Sequence, residues 1–96
     1  MVMGVIDDRG QSPEDVRREA NCLLAHGADL VEHAGVVLDA GLRAVTGELP
    51  PLVDTDDVAA MAVSVVMGCR LIRTHDVRAA RRVCDVLAAV QDAGAQ

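Results

Sequence analysis

Apolar residues along this chain form short runs that alternate with segments in which they recur at helical spacing. The first apolar run, at 1–6, ends at charged residues and predicts a buried strand. Two further strands are predicted at 28–34 and 71–74. Helical spacing predicts helices over 12–26, 56–67 and 77–92. This alternation predicts an α/β fold with a small parallel sheet of about three strands.

The first of these helices has the clearest boundaries. Ser12 can accept a backbone hydrogen bond at the helix start, Pro13 suits the first helical position, and Gly27 ends the helix. The helix over 56–67 is expected to begin at a cap formed by Thr55 or Asp54.

The middle of the chain gives a weaker pattern. Apolar residues between 36 and 45 fall at helical spacing and predict a short helix. Pro50 and Pro51 then predict a loop, because two consecutive prolines suit neither a helix nor a central strand. The chain is therefore predicted to be a single domain, 1–96, in two parts, over 1–47 and 54–92.

Composition narrows the classes of function. The chain has no aromatic residue and no lysine, so all nine of its basic residues are arginines. Chemistry that needs a lysine amine is therefore excluded. The formal charge of −6 argues against a nucleic-acid partner, because phosphate backbones are bound by basic surfaces.

The cysteines and apolar segments bear on location. Cys22, Cys69 and Cys84 are widely spaced, which favours reduced thiols over a disulfide or metal set. No segment reaches the roughly 18 apolar residues of a membrane span, and no signal-peptide pattern begins the chain. We therefore expect a cytoplasmic protein without membrane contact.

The strongest candidate site lies at the end of the last predicted strand. Arg73 is a fork-shaped donor suited to phosphate, and His75 points to the same side of an extended backbone. Ligands of parallel sheets bind at the carboxyl ends of strands, and a helix start attracts anions. The alternative is structural: Arg73 pairs with Asp76, and His75 or Asp76 caps the last helix.

This segment also carries a family resemblance. Gly-Cys-Arg-Leu-Ile-Arg-Thr-His-Asp-Val at 68–77 resembles the closing Gly-Ala…Arg-Val-His-Asp-Val segment of dihydropteroate synthases, the pterin-binding family of folate biosynthesis. The likeness extends from about 46 to 90. It implies that Arg73 and His75 bind the pyrophosphate of a pterin substrate. It also implies a partial (β/α) TIM-barrel-like fragment, since a complete barrel needs roughly 250 residues.

A second likeness lies at the start of the chain. Met-Gly-Val-Ile-Asp at 3–7 resembles the family's opening Met-Gly-Ile-Ile-Asn strand, whose asparagine lies near magnesium and pyrophosphate. The resemblance makes Asp7 a candidate magnesium ligand, and aspartate oxygens suit that cation. A solvated surface loop explains Asp7 equally well.

A third likeness covers the second predicted strand, and here the functional residues are lost. Gly-Ala-Asp-Leu-Val-Glu at 27–32 resembles the family's second strand, although a register that matches 35–47 to the seventh strand is also open. Neither register retains the family's functional side chains, and the family's pocket lysine and first-loop phenylalanine are absent. The chain thus resembles an internally deleted copy.

Two functions remain open at this point, beside the possibility of a degenerate remnant with no selected function and a marginal fold. The first is a dihydropteroate synthase-like transferase relative that lacks full catalysis but binds pterin pyrophosphate, with magnesium as its cofactor. The second is a non-catalytic interaction module that forms a homo-oligomer or docks onto a full-length relative, because an incomplete sheet exposes its edges.

Overall fold

Strands and helices alternate through most of the chain. A computed structural model describes residues 1–7 and 9–94. Within them the elements are β1 (Val2–Ile6), α1 (Pro13–Ala25), β2 (Leu30–His33), β3 (Val36–Leu38), β4 (Leu52–Asp54), α2 (Val58–Val66), β5 (Leu71–Thr74) and α3 (Val77–Gly94).

The strands form one sheet in the order β3-β2-β1-β5-β4. Strand β1 is parallel to both β2 and β5, and β4 is parallel to β5, whereas β3 runs antiparallel to β2. The predicted α/β class and mainly parallel sheet are confirmed. The predicted number of strands is wrong, because the described residues form five rather than about three. Since β1 lies between β2 and β5, the two predicted parts of the chain share one continuous sheet.

The helix predicted over 36–45 is wrong, because the chain reverses there into a β-hairpin. Ala34 and Gly35 form the two-residue turn with φ of 50° and 80°, and two successive positive φ angles are typical of a tight hairpin turn. Strand β3 follows at once, and the chain then returns along its outer side. There Ala44 bridges Leu38, and the Val45 amide donates to the Val37 carbonyl at 2.8 Å.

Strand β4 was not predicted, because its three residues follow the double proline directly. Backbone bonds to the β5 region hold this segment in place at both ends. The Arg70 amide donates to the Pro51 carbonyl and the Thr55 amide donates to the Arg73 carbonyl, each at 3.1 Å. The short apolar segment is therefore defined by its neighbour in the sheet.

The helix starts follow local capping chemistry. The Ser12 hydroxyl accepts a bond from the Asp15 amide at 3.2 Å, which confirms the predicted start of α1. The predicted cap of α2 is wrong: Asp57 accepts the Ala59 amide at 2.9 Å, and α2 begins at Val58. Thr55 instead accepts the Asp57 amide at 3.0 Å and shapes the turn before the helix.

The two faces of the sheet are covered differently. On one face a buried cluster joins the sheet to the helices, and it consists of Val2, Ala28, Met61, Ile72, Val77 and Ala80. On the other face Met3, Leu30 and Leu71 are buried beneath β3 and the loop that follows it, which contribute Val37, Val45 and Leu49. Polar side chains that extend from this second face therefore lie beside a loop instead of a helix layer.

None of the helices in the described part of the chain is long and apolar enough to cross a membrane.

Candidate functional site

Polar side chains converge where the parallel strands end. Arg73 on β5 donates from Nε and Nη2 to the two oxygens of Glu32 at 2.7 and 2.8 Å. Its Nη1 donates to Asp54 Oδ2 at 2.8 Å. The guanidinium thus forms a two-bond pair with a carboxylate of β2 and a one-bond pair with a carboxylate of β4.

The sheet register explains this arrangement. Arg73 is paired with Asp54 on β4 and with Met3 on β1, so its side chain crosses β1 to reach Glu32 on β2. The Arg73 and Glu32 side chains are 25% and 20% exposed, whereas that of Asp54 is 60% exposed. The Arg73–Glu32 pair is therefore the better shielded of the two.

Each partner of this pair changes the pKa of the other. Hydrogen bonding to Arg73 lowers the pKa of Glu32, against a smaller opposing effect of burial. Hydrogen bonding to Glu32 and the nearby carboxylate charges raise the pKa of Arg73. Both groups are charged at neutral pH.

His75 forms a second group of contacts beside the first. Its Nε2 lies 3.1 Å from Asp7 Oδ1, and its Nδ1 lies 3.4 Å from Asp56 Oδ2. Hydrogen bonding to Asp7 and the negative charges of Asp56 and Asp7 raise the pKa of His75, although burial opposes the shift. The end of β1 and the residues after β5, 68 positions apart in sequence, meet at this imidazole.

Asp56 fixes the position of His75. Its Oδ1 accepts the Thr74 hydroxyl and the His75 amide, both at 2.8 Å. The bond from the His75 amide, followed by that from Thr74, lowers the pKa of Asp56. Thr74 is fully buried, so this contact ties the end of β5 to the turn before α2.

The region carries an excess of negative charge. Asp7, Glu32, Asp54 and Asp56 surround one arginine and one histidine. A bare anion placed here would be repelled by these carboxylates. Anion binding at this edge therefore requires an accompanying cation or a rearrangement of the ion pairs.

The side chains at this edge would give a magnesium ion few protein ligands. In the part of the chain that the structure describes, no three His, Cys, Asp or Glu side chains are arranged to hold a metal ion. Magnesium commonly uses only one or two protein carboxylates and takes its other ligands from phosphate and water. Asp7, with one oxygen toward His75 and the other 3.4 Å from Arg9, can supply such a single carboxylate.

All three residues predicted for the site lie at this edge of the sheet. Arg73 and His75 nevertheless have separate carboxylate partners. The structural alternative is half right, because Asp76 does cap α3 by accepting the Ala79 amide at 3.2 Å. Its other half is wrong, since Arg73 pairs with Glu32 and Asp54 and not with Asp76.

Sequence reasoning did not assign Glu32, Asp54 and Asp56 to the site. The only signal was the acidic segment 54–57, which directly follows an apolar pair. Comparisons of this chain with protein-family models, with curated proteins and with solved structures find no match.

Proposed function

We propose that this chain is a dihydropteroate synthase-like, non-catalytic binding protein. Its strand-end cluster of Asp7, Arg73 and His75 would hold the pyrophosphate of a pterin pyrophosphate together with magnesium. The observation that supports this most is the 3.1 Å contact between His75 and Asp7. The family resemblance assigns these two positions to one pyrophosphate site, and they lie 68 positions apart in the sequence.

The strand order gives further support. In a closed barrel of eight parallel strands the first strand neighbours both the second and the last. An internally deleted barrel that kept its first two and last two strands would have the order second, first, last, last but one. The parallel part of this sheet, β2-β1-β5-β4, has that order.

The side chains retain the capacity to bind phosphate oxygens. Arg73 uses three of its five N–H donors in the bonds to Glu32 and Asp54, which leaves two for an anion. His75 has a raised pKa, because it faces Asp7 and Asp56, and its protonated form is a cation beside the same edge. Magnesium, when bound, would neutralise the phosphate charge. Asp7 would then serve as its ligand and not as a repulsive group.

Binding without turnover is the proposal because the reaction needs more groups than this chain offers. Transfer to an amine requires several groups around the reacting carbon in addition to those on the leaving pyrophosphate. The chain has no lysine and no phenylalanine to supply the family's pocket positions. We therefore expect no synthase activity from this chain alone.

Thermal unfolding followed by circular dichroism tests the proposal. A ligand at 100 times its Kd adds about 2.7 kcal/mol to the free energy of unfolding. For a domain of this size that corresponds to a rise in Tm of about 10 to 20 °C. We expect this rise with magnesium and pterin pyrophosphate together, and a much smaller rise with either component alone.

Two histidine variants separate the site from general effects. His75→Ala should abolish the rise in Tm, whereas His33→Ala, which removes a histidine on β2 outside the contacts of Arg73 and His75, should retain it. A cooperative transition at the same temperature with and without the ligands would refute pyrophosphate binding. An equal loss in both variants would assign the effect to some other part of the protein.

A second candidate function is supported by the open edge of the sheet. Strand β4 has no partner strand on its outer side in the described part of the chain. Large apolar side chains are exposed on β4, on α2 and at the residue after α2, namely Leu52, Val63, Val66 and Met67. We propose that a second copy pairs along β4, since an edge strand of this kind invites pairing.

A two-fold axis through Val53 gives this pairing a defined register. Two antiparallel β4 strands would place Leu52 of one copy opposite Asp54 of the other, so no two aspartates would face each other. Sedimentation should then show a dimer that Leu52→Lys disrupts. Val86→Lys, at an exposed valine of α3, is the control and should leave the dimer intact. A monomer at every protein concentration would refute the pairing.

A further inference from the structure

A concave site lies away from the strand-end cluster. A cavity of about 480 Å³ opens between α2, α3 and the start of β5. Its apolar wall includes Val65, Ile72 and Leu87. The free cysteines Cys69 and Cys84 also line it. The volume falls within the roughly 300 to 1,000 Å³ of small-molecule pockets, which are mainly apolar with a few polar groups.

The cavity and the strand-end cluster are at opposite ends of β5. Cys69 and Arg70, which line the cavity, directly precede β5, whereas the cluster is built where β5 ends at Thr74. Binding at one site therefore does not require the other. A ligand in the cavity is therefore independent of the proposed function.

Arg70 gives the cavity its chemical character. Its residue is exposed and lines the cavity, and its backbone is held by bonds with Pro51 and Met1. Its guanidinium makes no ion pair or hydrogen bond with any residue that the structure describes, although the chain has 15 acidic residues and only nine basic ones. An arginine without an ion pair among the described residues, lining a mainly apolar cavity, is complementary to a molecule with one anionic end and one apolar end.

We propose that this cavity binds an amphipathic monocarboxylate of the medium-chain fatty-acid type. The hydrocarbon chain lies against Val65, Ile72 and Leu87, and the carboxylate pairs with Arg70. A neutral hydrocarbon would leave the guanidinium unused. A small anion without a chain would have only a solvated ion pair, which contributes little.

The three cysteines provide a direct readout of occupancy. Cys69 and Cys84 line the cavity, whereas Cys22 is exposed on α1 outside it. Decanoate is therefore expected to slow alkylation of Cys69 and Cys84 by iodoacetamide, measured by mass spectrometry, without changing the rate at Cys22. Titration calorimetry with decanoate measures the same binding without the thiols.

The length and charge of the probe test the two halves of the proposal. Each added methylene should tighten binding about fourfold between octanoate and decanoate, so that the two differ about fifteenfold. Decanol should protect the thiols less than decanoate at the same concentration, and Arg70→Gln should weaken decanoate binding about threefold, the effect of an exposed ion pair. Arg82→Gln, on the outward side of α3, is the matched control and should bind as the unmodified chain does.

Three results would overturn the inference. Equal protection by decanol and decanoate would show that Arg70 does not recognise the carboxylate. Unchanged rates at Cys69 and Cys84, together with no heat of binding, would show that the cavity does not take this ligand. Protection that grows with protein concentration alone would show that a second copy covers the cavity. None of these results bears on magnesium and pyrophosphate binding, which Arg70→Gln should leave unchanged.

Discussion

Replacing Arg73 by methionine tests how much the strand-end ion pairs stabilise the fold. The substitution keeps an unbranched side chain of similar length but removes two bonds to Glu32 and one to Asp54. Exposed ion pairs contribute about 0 to 1 kcal/mol, and breaking a buried pair costs about 3 to 5 kcal/mol. Because Arg73 and Glu32 are 25% and 20% exposed, we expect an intermediate loss of about 2 kcal/mol.

The loss should be visible in thermal unfolding followed by circular dichroism at neutral pH. About 2 kcal/mol corresponds to a fall in Tm of about 8 to 16 °C for a domain of this size. Most of it arises because Glu32 keeps its charge and loses its partner. Arg73→Met combined with Glu32→Gln should therefore be more stable than the sum of the two single changes predicts, by about 1 to 2 kcal/mol.

The control is Arg82→Met, since Arg82 is exposed on α3 and forms no ion pair among the described residues. It should change the free energy of unfolding by less than about 0.5 kcal/mol. Equal effects of Arg73→Met and Arg82→Met would refute the argument that the Arg73 contacts stabilise the sheet. Strict additivity of Arg73→Met and Glu32→Gln would refute the argument that their pairing is the cause.

Three further outcomes follow from pKa shifts and from burial. The pKa of Glu32 is lowered in the folded state, so the stability that its charge contributes is complete above the unfolded pKa and is lost as pH falls below about 4.5. In denaturant titrations the free energy of unfolding of Glu32→Gln should therefore fall less steeply in acid than that of the unmodified chain. The pKa of His75 is raised in the folded state, so the stability that its charge contributes is present below about pH 6.5 and is lost as pH rises through the folded pKa. The difference in Tm between the unmodified chain and His75→Ala should therefore shrink from mildly acidic to alkaline pH. Met61 is fully buried, so Met61→Ala should cost about 2 to 5 kcal/mol in urea unfolding, and Val63→Ala, at a valine 59% exposed, less than about 0.5 kcal/mol.

Local sequence signals sufficed where the structure depends on neighbouring residues. The Ser12-Pro13 start of α1 and the strand at 71–74 were predicted because capping and an apolar run bounded by polar residues act over a few positions. The failure at 36–45 has a specific cause. The residues Val37, Leu38 and Gly41 fall at helical spacing, but the turn at Ala34 and Gly35 returns the chain to β2. Backbone pairing with β2 then decides the structure.

The site shows the same division between local and distant effects. Arg73 and His75 could be proposed because ligands bind at the ends of parallel strands. The partners of Arg73 could not be proposed in this way, because Asp54 and Glu32 lie 19 and 41 positions from it in sequence. Only the strand order brings β2 and β4 to either side of β1 and β5. The pattern of apolar residues does not specify that order.

The two sides of the sheet also differ in what they allow the chain to build. At the β3 side the returning segment around Ala44 already occupies the outer backbone groups of Val37 and Leu38, whereas none of the described residues covers β4 in this way. A sheet with two free sides could add copies without limit and grow into a fibre. With a single free side, each copy can pair with only one other copy through its sheet. Association through the sheet therefore ends at a closed pair.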